Sequence, residues 1–393
     1  MNYKKYALID LHLHIDGSLP INTVINCAKI ENITLPSEDP IELKKYLTVS
    51  ENCTDLNEYL KCFNLPISVM QSKESLSLCA YDLVKELNSQ GLLYAELRFA
   101  PQLHCEKGLT QDEVTKSILV GIKKAKNEIT RVEKTKAKRT AYIERIEEPK
   151  KSESIEKSEK SEKIEDVKRI ESIEEIKGNK NPGGIKTNLI LCCMRGSKIE
   201  TNLQTLEIAK KYYKKGVVAI DLAGAEALFP TSDYEYLFNK AKKLNIPYTI
   251  HAGEAAGAKS IISALDFGAL RLGHGIRSSE FQDILKREEK DNIILELCPT
   301  SNLQTKAVAF LKDYPIADFI KANVLCTINT DNMTVSGTSL GNEFKKLFKA
   351  KLIDKDIAKQ LVLNSVQAAF ISKTEKDELL KKVKYNLIYK QSF

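Results

Sequence analysis

Eight short apolar runs of the β type recur along the chain, with helical patterns between them. In chain order they read "YALIDLHLH", "LLYAELRFAP", "TNLILCCMRG", "VVAIDLAGAE", "IPYTIHAGE", "ALRLGHG", "NIILELCPTSN" and "NVLCTINTDN". Thr110 and Glu113 form a capping box ahead of one amphipathic repeat. Apolar strands that alternate with helices pair in parallel, so eight units predict a closed (β/α)8 barrel of the α/β class. Residues 20 to about 80 are expected to form extra helices after the first strand.

Residues 131–186 differ in composition from their surroundings. They contain 16 Lys and Arg, 13 Asp and Glu, and the imperfect repeat "EKSEKSEK". Such a segment cannot bury enough apolar surface to fold by itself, so we predict a disordered or exposed helical insertion. Residues 1–393 then form a single barrel domain that contains this insertion. Scattered isoleucines leave an amphipathic helix open, and a partner-binding arm is the alternative to a surface insertion.

Histidines and a carboxylate stand at the predicted C-terminal ends of several runs, where barrel enzymes build their active sites. His12 and His14 are two residues apart and share one face of a strand. His251, His274 and Asp331 end the fifth, sixth and eighth runs. A set of three of these imidazoles and the carboxylate suits a divalent cation such as zinc, with one position open for water. Unrelated buried polar groups would instead require five costly burials at one rim.

Other residues near these strand ends have properties that suit catalysis. Glu254, in "HAGE", offers a carboxyl group that could relay the proton of a metal-bound water. Gly224, in "DLAGAE", would let a backbone N–H approach a ligand without a side chain in the way. Asn332 directly follows the carboxylate of the eighth run, so one turn could bind metal and substrate. His104 is expected to be structural.

Several other enzyme classes have weak or absent signatures. "GTSLG" formally matches a nucleophile elbow at Ser339, but it does not follow a buried strand. The sequence contains no H-E-x-x-H, Walker loop or G-x-G-x-x-G motif. The signature of cytidine-type deaminases is also absent.

The composition favours a cytoplasmic protein that binds neither nucleic acid nor membranes. The net charge of +7 is not gathered into a basic patch with aromatic residues, and there is no Trp for stacking. Nine cysteines occur without a C-x-x-C pair, which is typical of a reducing compartment. No run of 18 apolar residues and no apolar signal region is visible.

Seven ordered motifs together resemble those of the metal-dependent adenosine deaminase family. They are "LIDLHLHIDGSL", "LRFAPQLHCEKGLT", "DLAGAE", "HAGEAAG", "LGHGIR", "ELCPTSN" and "INTDN". The resemblance omits only about 130–186 and implies an amidohydrolase-type barrel with one zinc ion. It implies that His12, His14, His251 and Asp331 bind the metal. Glu254 would then donate a proton to the purine ring, and His274 would orient the attacking hydroxide.

The resemblance also implies hydrolytic deamination of adenosine, and of 2′-deoxyadenosine, to inosine and ammonia. Asp16 would hold the ribose 5′-hydroxyl, Gly224 the purine N3 and Asn332 the N7, with His14 also facing the substrate. Many family members have Asp where Asn332 stands, but an amide NH2 can still donate to N7. Adenine deaminases typically have Glu where Asp16 stands, so Asp16 favours the nucleoside over the free base.

Two alternatives remain beside adenosine deamination. One is a deaminase of adenine or of a modified adenine nucleoside or nucleotide. The other is a non-catalytic ligand-binding barrel whose charged arm is the working part. A binding protein has no chemical need for both the ligand set and Glu254, and this favours an enzyme.

Overall fold

The eight predicted strands form the centre of a (β/α)8 barrel in the computed structural model, which describes residues 3–147 and 184–389. The strands are β1 (Ile9–His14), β2 (Tyr94–Phe99), β3 (Lys186–Met194), β4 (Val217–Ala223), β5 (Thr249–Ala252), β6 (Arg271–His274), β7 (Ile294–Leu297) and β8 (Leu325–Ile328). Each strand lies within its predicted run, except that β3 begins one residue earlier. Asp331 lies beyond the last residue of β8 rather than in it.

All the strand pairs are parallel, as the alternation with helices predicts. Strands β1–β4 form one continuous four-stranded sheet, and β5–β8 form another. One bridge between Ile220 and Tyr248 joins the two sheets on one side, and a bridge between Leu13 and Asp331 joins them on the other. The second junction is made by the backbone of Asp331, whose N–H donates to His12 O at 2.8 Å and whose carbonyl accepts from His14 N at 2.7 Å.

Helices cover the outside of the strands and extend the region after β1. In the described residues the α-helices are α1 (Ile21–Glu31), α2 (Pro40–Leu47), α3 (Leu56–Leu60), α4 (Asn64–Ser68), α5 (Lys73–Ser89), α6 (Gln111–Glu147), α7 (Ile199–Tyr212), α8 (Glu235–Leu244), α9 (Ala258–Asp266), α10 (Gln282–Lys290), α11 (Pro299–Gln304), α12 (Ile316–Lys321), α13 (Leu340–Lys349), α14 (Lys355–Ala368) and α15 (Lys373–Tyr389). Short 3-10 helices occupy Tyr3–Tyr6, Lys61–Phe63, Pro101–His104, Thr231–Tyr234, Ile276–Glu280 and Leu311–Asp313. Helices α1–α5 confirm the extra helices expected between β1 and β2.

Helix α6 begins at the capping box expected from the sequence. Thr110 Oγ1 accepts a hydrogen bond from Glu113 N at 3.2 Å, and Glu113 Oε2 accepts one from Thr110 N at 3.1 Å. The helix continues to Glu147, so residues 131–147 of the predicted insertion are helical. Residues 148–183 lie outside the described residues, and the assignment of 131–186 as an insertion stays a prediction.

The chain divides into two compact units. One unit contains Met1–Ala125 and Ile185–Phe393, which include all eight strands, and the other is Lys126–Gly184. Within residues 3–147 and 184–389, none of the helices combines the length and the apolar character needed to cross a bilayer.

The barrel interior contains a network of buried charges. Arg98 of β2 is fully buried and donates to Asp221 Oδ2 at 3.0 Å, to Glu296 Oε2 at 2.8 Å and to Leu11 O at 2.7 Å. Arg271 of β6 forms a second buried pair with Glu296, through Nε and Oε1 at 2.6 Å. Buried charges are tolerated only when they are paired and hydrogen-bonded, so these groups depend on one another.

We expect Arg98→Met to destabilise the barrel strongly, because the substitution leaves two buried carboxylates without their shared cation. Breaking a buried pair by removing one partner typically costs about 3–5 kcal/mol. The free energy of unfolding, measured by denaturant titration, tests this. Lys286→Ala is the control, since its pair with Asp283 is on the surface with both side chains largely exposed. A loss below about 1 kcal/mol in Arg98→Met would contradict the prediction.

Candidate active site

Five of the predicted site residues meet at the C-terminal end of the barrel. His12, His251, His274 and Asp331 are buried, and each offers one ligand atom that lies within 4.8 Å of the others. His14 lies beside them, with its Nε2 atom 3.5 Å from Asp331 Oδ1. Its ring centroid is 5.3 Å from that of His12 and 5.4 Å from that of His251. The structure therefore brings together all the histidines predicted at strand ends.

Two members of this cluster have unusual backbone conformations. His274 has φ +62° and Asp331 has φ +60°, in the left-handed region that non-glycine residues rarely adopt. Such a conformation costs of order 1–3 kcal/mol and persists only where the surrounding structure enforces it. At Asp331 it is enforced by the two backbone hydrogen bonds to β1. The left-handed turn aims its carboxylate at His12 and His14.

Carboxylates behind the imidazoles determine which ring nitrogens face the cluster. Glu296 Oε2 lies 2.8 Å from His12 Nδ1, and Asp221 Oδ2 lies 2.9 Å from His251 Nδ1. The hydrogen bond between His12 Nδ1 and Glu296 holds the proton on that nitrogen and leaves the Nε2 lone pair for a metal, and the close contact with Asp221 favours the same tautomer of His251. His12 Nε2 is buried and has no hydrogen-bond partner among the described residues. This donor set fits a divalent metal ion.

Protonation also suits metal binding. Burial lowers the pKa of His14 well below its ordinary value, so its imidazole is neutral and keeps a lone pair at neutral pH. Burial opposes ionisation of Asp331, but the close contact with His12 and the other histidines of the cluster hold its pKa below the ordinary value. Asp331 is therefore an anion within the cluster.

His274 has a different hydrogen-bond environment from the other histidines of the cluster. Its Nδ1 atom lies 2.9 Å from Asn302 Nδ2, while Asn302 Oδ1 accepts from the Tyr314 hydroxyl at 2.9 Å. An amide nitrogen can only donate, so with this amide orientation His274 Nδ1 is an acceptor and its ring proton lies on Nε2. His274 Nε2 then points a donor rather than a lone pair towards the site.

Glu254 is buried at the edge of the cluster and carries a proton at neutral pH. Burial, helped by the negative charge of Asp331, raises its pKa to about 8. Its Oε1 atom accepts a hydrogen bond from Thr305 Oγ1 at 3.0 Å, and its Oε2 atom lies 3.4 Å from His274 Nε2. Thr305 therefore fixes Oε1, and Oε2 faces the cluster beside His274.

A cavity of about 200 Å³ opens above the cluster, and Asp16, Gly224 and Asn332 line it as the sequence led us to expect. Gly224 has φ +103°, so the chain turns there in a conformation that exposes its backbone. Apolar side chains of α3, α4 and their surroundings form one wall: Leu56, Leu60, Phe63, Ile67 and Leu103. A larger groove of about 830 Å³ runs between α5 and α6, but none of the predicted site residues lines it.

Asn332 is held by a residue that the sequence did not indicate. Its Nδ2 donates to the Tyr59 hydroxyl at 3.0 Å, and Tyr59 in turn contacts Ser336 Oγ at 2.7 Å. A Cβ at Gly17 would lie only 1.8 Å from Asn332 Oδ1, so this amide fits only against glycine. Asn332 is thus fixed at the cavity wall with a second amide hydrogen left over.

Two other sequence motifs have structural roles. His104 Nδ1 donates to Met70 O at 3.1 Å in a buried site that contributes nothing to the cluster. Ser339 is the N-cap of α13, where its hydroxyl accepts from Asn342 N. The nucleophile-elbow interpretation of "GTSLG" therefore has no support in the structure.

The sequence did not indicate several residues that support the site, although some of them have a recognisable sequence pattern. Charged residues inside otherwise apolar strands are expensive to bury, and three of them support the histidines: Arg98, Asp221 and Glu296. Asn302 and Thr305 lie in the segment after "ELCP", and only their three-dimensional contacts show what they do.

Comparison with known proteins identifies the family. The adenosine deaminase family model matches residues 7–174 and 164–386. An adenosine deaminase from Haemophilus ducreyi is 41% identical over 380 residues, covering 96% of this chain and 95% of that protein. One from Clostridium botulinum is 37% identical over 382 residues, covering 97% and 99%. The chain belongs to the adenosine deaminase family.

Several solved structures are similar to this chain and share its barrel fold. An adenine deaminase from Arthrobacter aurescens superposes with a TM-score of 0.73 at 24% identity, covering 96% of this chain and 98% of that one. An Arabidopsis N6-mAMP deaminase gives 0.74 at 20% identity, with 98% and 99% covered. An amidohydrolase from Burkholderia ambifaria with bound Zn gives 0.76 at 16% identity, with 98% and 92% covered.

We expect the purified protein to contain about one divalent metal ion per chain and His12→Ala to lose most of it, since Nε2 of His12 faces the other ligands. Elemental analysis after dialysis measures the content. His104→Ala is the matched control, a buried histidine outside the cluster that should keep its metal. Full metal content in His12→Ala, or an active preparation without a transition metal, would contradict this site.

Proposed function

We propose that this protein catalyses zinc-dependent hydrolytic deamination of adenosine to inosine and ammonia. The observation that carries the proposal is the position of Glu254, which is buried beside the histidine–aspartate cluster and lines the cavity. Its family membership agrees, because the curated relatives at 41% and 37% identity are named adenosine deaminase. The same reaction is expected with 2′-deoxyadenosine, and a cytoplasmic location stays a prediction.

We assign the metal ion to His12, His14, His251 and Asp331. The carboxylates behind His12 and His251 orient their Nε2 lone pairs towards the cluster, whereas His274 carries its proton on Nε2. Imidazole and carboxylate ligands suit zinc, and the Burkholderia amidohydrolase with bound Zn agrees with that choice. When bound, such an ion lowers the pKa of a coordinated water towards about 7 and so supplies a nucleophile at neutral pH.

The chain's own residues move and hold the protons of the reaction. Glu254 donates its Oε2 proton to N1 of the purine, which makes C6 more electrophilic as the oxygen nucleophile adds to it. The Nε2–H of His274 donates a hydrogen bond to that oxygen and fixes its direction of approach. The Glu254 carboxylate, which has given its proton to N1, then takes the proton of the added hydroxyl and passes it to the amino group. The C6–N bond breaks, the amino group leaves as ammonia, and C6 becomes the carbonyl of inosine.

Substrate contacts come from the cavity wall. We assign Asn332 to the purine N7 through its second amide hydrogen, Gly224 to N3 through its backbone N–H, and Asp16 to the ribose 5′-hydroxyl. His14 lines the same cavity and is expected to face the substrate. Burial raises the pKa of Asp16 to about 7, so its carboxyl group can share a proton with a neutral hydroxyl.

The cavity favours a nucleoside over a nucleotide. Among the described residues that line it there is no Lys or Arg to hold a phosphate, and Asp16 would repel one. This separates the proposal from deamination of a nucleotide such as N6-mAMP, after which the similar Arabidopsis enzyme is named.

We expect adenosine to be deaminated with a kcat/KM at least about 100-fold above those of AMP and adenine, since each competitor leaves a buried polar group unpaired or repelled. The loss of adenosine absorbance and the release of ammonia measure the rates. Faster turnover of AMP would favour a nucleotide deaminase, and faster turnover of adenine a base deaminase. No turnover of any of them by metal-loaded protein would favour a binding barrel.

Glu254→Gln should keep its metal and bind substrate with little change in KM, but its amide cannot donate an acid proton to N1. General acid catalysis contributes about 10²–10⁴-fold, so kcat should fall by at least that factor. Steady-state kinetics and elemental analysis on one preparation measure both quantities. Asp331→Asn is the comparison, and it should lose metal as well as activity. Near-normal kcat, or loss of metal, in Glu254→Gln would show that Glu254 is not the proton donor.

A further inference from the structure

The loop that carries Glu254 is held by a second buried carboxylate. Glu226, three residues beyond β4, accepts hydrogen bonds from the four consecutive backbone N–H groups of residues 253–256, at 2.7, 3.0, 2.7 and 3.0 Å in chain order. It also accepts one from Ser260 Oγ at 2.5 Å. Glu226 is only 2% exposed. One side chain therefore satisfies five donors, four of which belong to the turn between β5 and α9.

The local backbone explains why these N–H groups converge. Gly253 has φ +78°, and a Cβ there would lie 2.8 Å from Ile261 Cδ1, so the turn requires glycine. A left-handed residue within a turn directs successive N–H groups towards one point and forms a concave anion site. In this turn the anion is supplied by the protein itself, through Glu226.

The end of strand β5, just before this loop, is held by the buried side chain of Arg195. Arg195 donates to the carbonyl of His251 at 2.6 Å and to Thr231 Oγ1 at 3.0 Å. Thr231 lies 2.6 Å from Ser260 Oγ, so this network continues to Glu226. His251 is thus oriented from its carbonyl by Arg195, whereas Glu254 is oriented from its N–H by Glu226.

We propose that Glu226 is a positioning residue for the proton donor, an inference that rests on the proposed function of Glu254. Glu226 holds the backbone N–H of Glu254 itself, and thereby sets where the Glu254 carboxyl lies relative to the purine N1. The Glu254 side chain also contacts Thr305 Oγ1 and His274 Nε2, and Arg277 Nε donates to the Glu254 carbonyl at 3.1 Å. A displacement of about 1 Å at a reacting group can cost about 100-fold in rate.

An amide at position 226 cannot hold the loop in the same way. Glu226 Oε2 accepts from the N–H groups of residues 254–256, and Oε1 accepts from Gly253 N and Ser260 Oγ. In Glu226→Gln, one of these positions becomes an NH2 group that faces N–H donors. The loop then shifts, while the histidine–aspartate ligands keep their own supports.

We therefore expect Glu226→Gln to lower kcat by about 10- to 100-fold, with KM within about threefold of wild type and metal content unchanged. Glu226→Asp keeps the charge but reaches fewer N–H groups, so its kcat should lie between those of Glu226→Gln and wild type. Ser260→Ala removes only one of the donors to Glu226, and it is the test variant if Glu226→Gln does not fold. Its kcat should fall by a few fold.

Glu288→Gln is the matched control. Glu288 is fully buried in α10 outside the site, and among the described residues its carboxyl group accepts only from Ser278 Oγ. It should change thermal stability but not kcat. All variants are assayed with adenosine beside wild type, with metal content and melting temperature measured on the same samples. Wild-type deamination tests the proposed function, independently of how the variants behave.

Three results would overturn the inference while leaving adenosine deamination intact. The first is a kcat within about twofold of wild type in folded Glu226→Gln or, if that variant does not fold, in Ser260→Ala. The second is loss of metal in proportion to kcat, which would place the role of Glu226 at His251. The third is an equal fall of kcat in Glu288→Gln, which would indicate a general loss of stability.

Discussion

The candidate site depends on the two ion pairs that the buried guanidinium of Arg98 forms. The guanidinium joins Asp221 and Glu296, and these two carboxylates lie at the Nδ1 atoms of His251 and His12. Arg98, together with Arg271 at Glu296, offsets these negative charges, so the carboxylates can stay ionised in the buried interior. Because ionised carboxylates hold the Nδ1 protons, the cluster receives lone pairs at Nε2. The charges in the barrel interior therefore determine the donor character of the site above them.

The site and the fold also share a backbone constraint. Asp331 joins the last strand to the first through hydrogen bonds to His12 and His14, and it does so in a left-handed conformation. The hydrogen bonds that close the barrel hold Asp331 in its strained conformation. The same conformation directs its carboxylate into the cluster. Substitution of this residue would therefore disturb both the metal ligands and the strand pairing, and the two effects have to be measured separately.

The sequence predicted the barrel and the rim residues because both follow from local patterns. Apolar runs mark strands whose two faces are buried, and polar residues at their ends mark the rim, so His12, His251 and Asp331 could be found without coordinates. The residues that support them could not be assigned in this way. Tyr59 meets Asn332 across 273 positions, and Glu226 meets the Glu254 loop from another strand end. Such contacts depend on side-chain directions and loop shape, which periodicity does not determine.

The two four-stranded sheets are continuous within themselves but meet at one bridge on each side. The assigned ligands are divided between these halves, since His12 and His14 lie on β1 whereas His251 and Asp331 belong to the half formed by β5–β8. An ion bound to all four would link the halves, and its binding free energy would add to the work of separating them. The backbone amides of His14, Asp331 and Ile220 donate across these junctions, and they should then exchange their hydrogens with solvent more slowly in the metal-loaded protein than in the apoprotein.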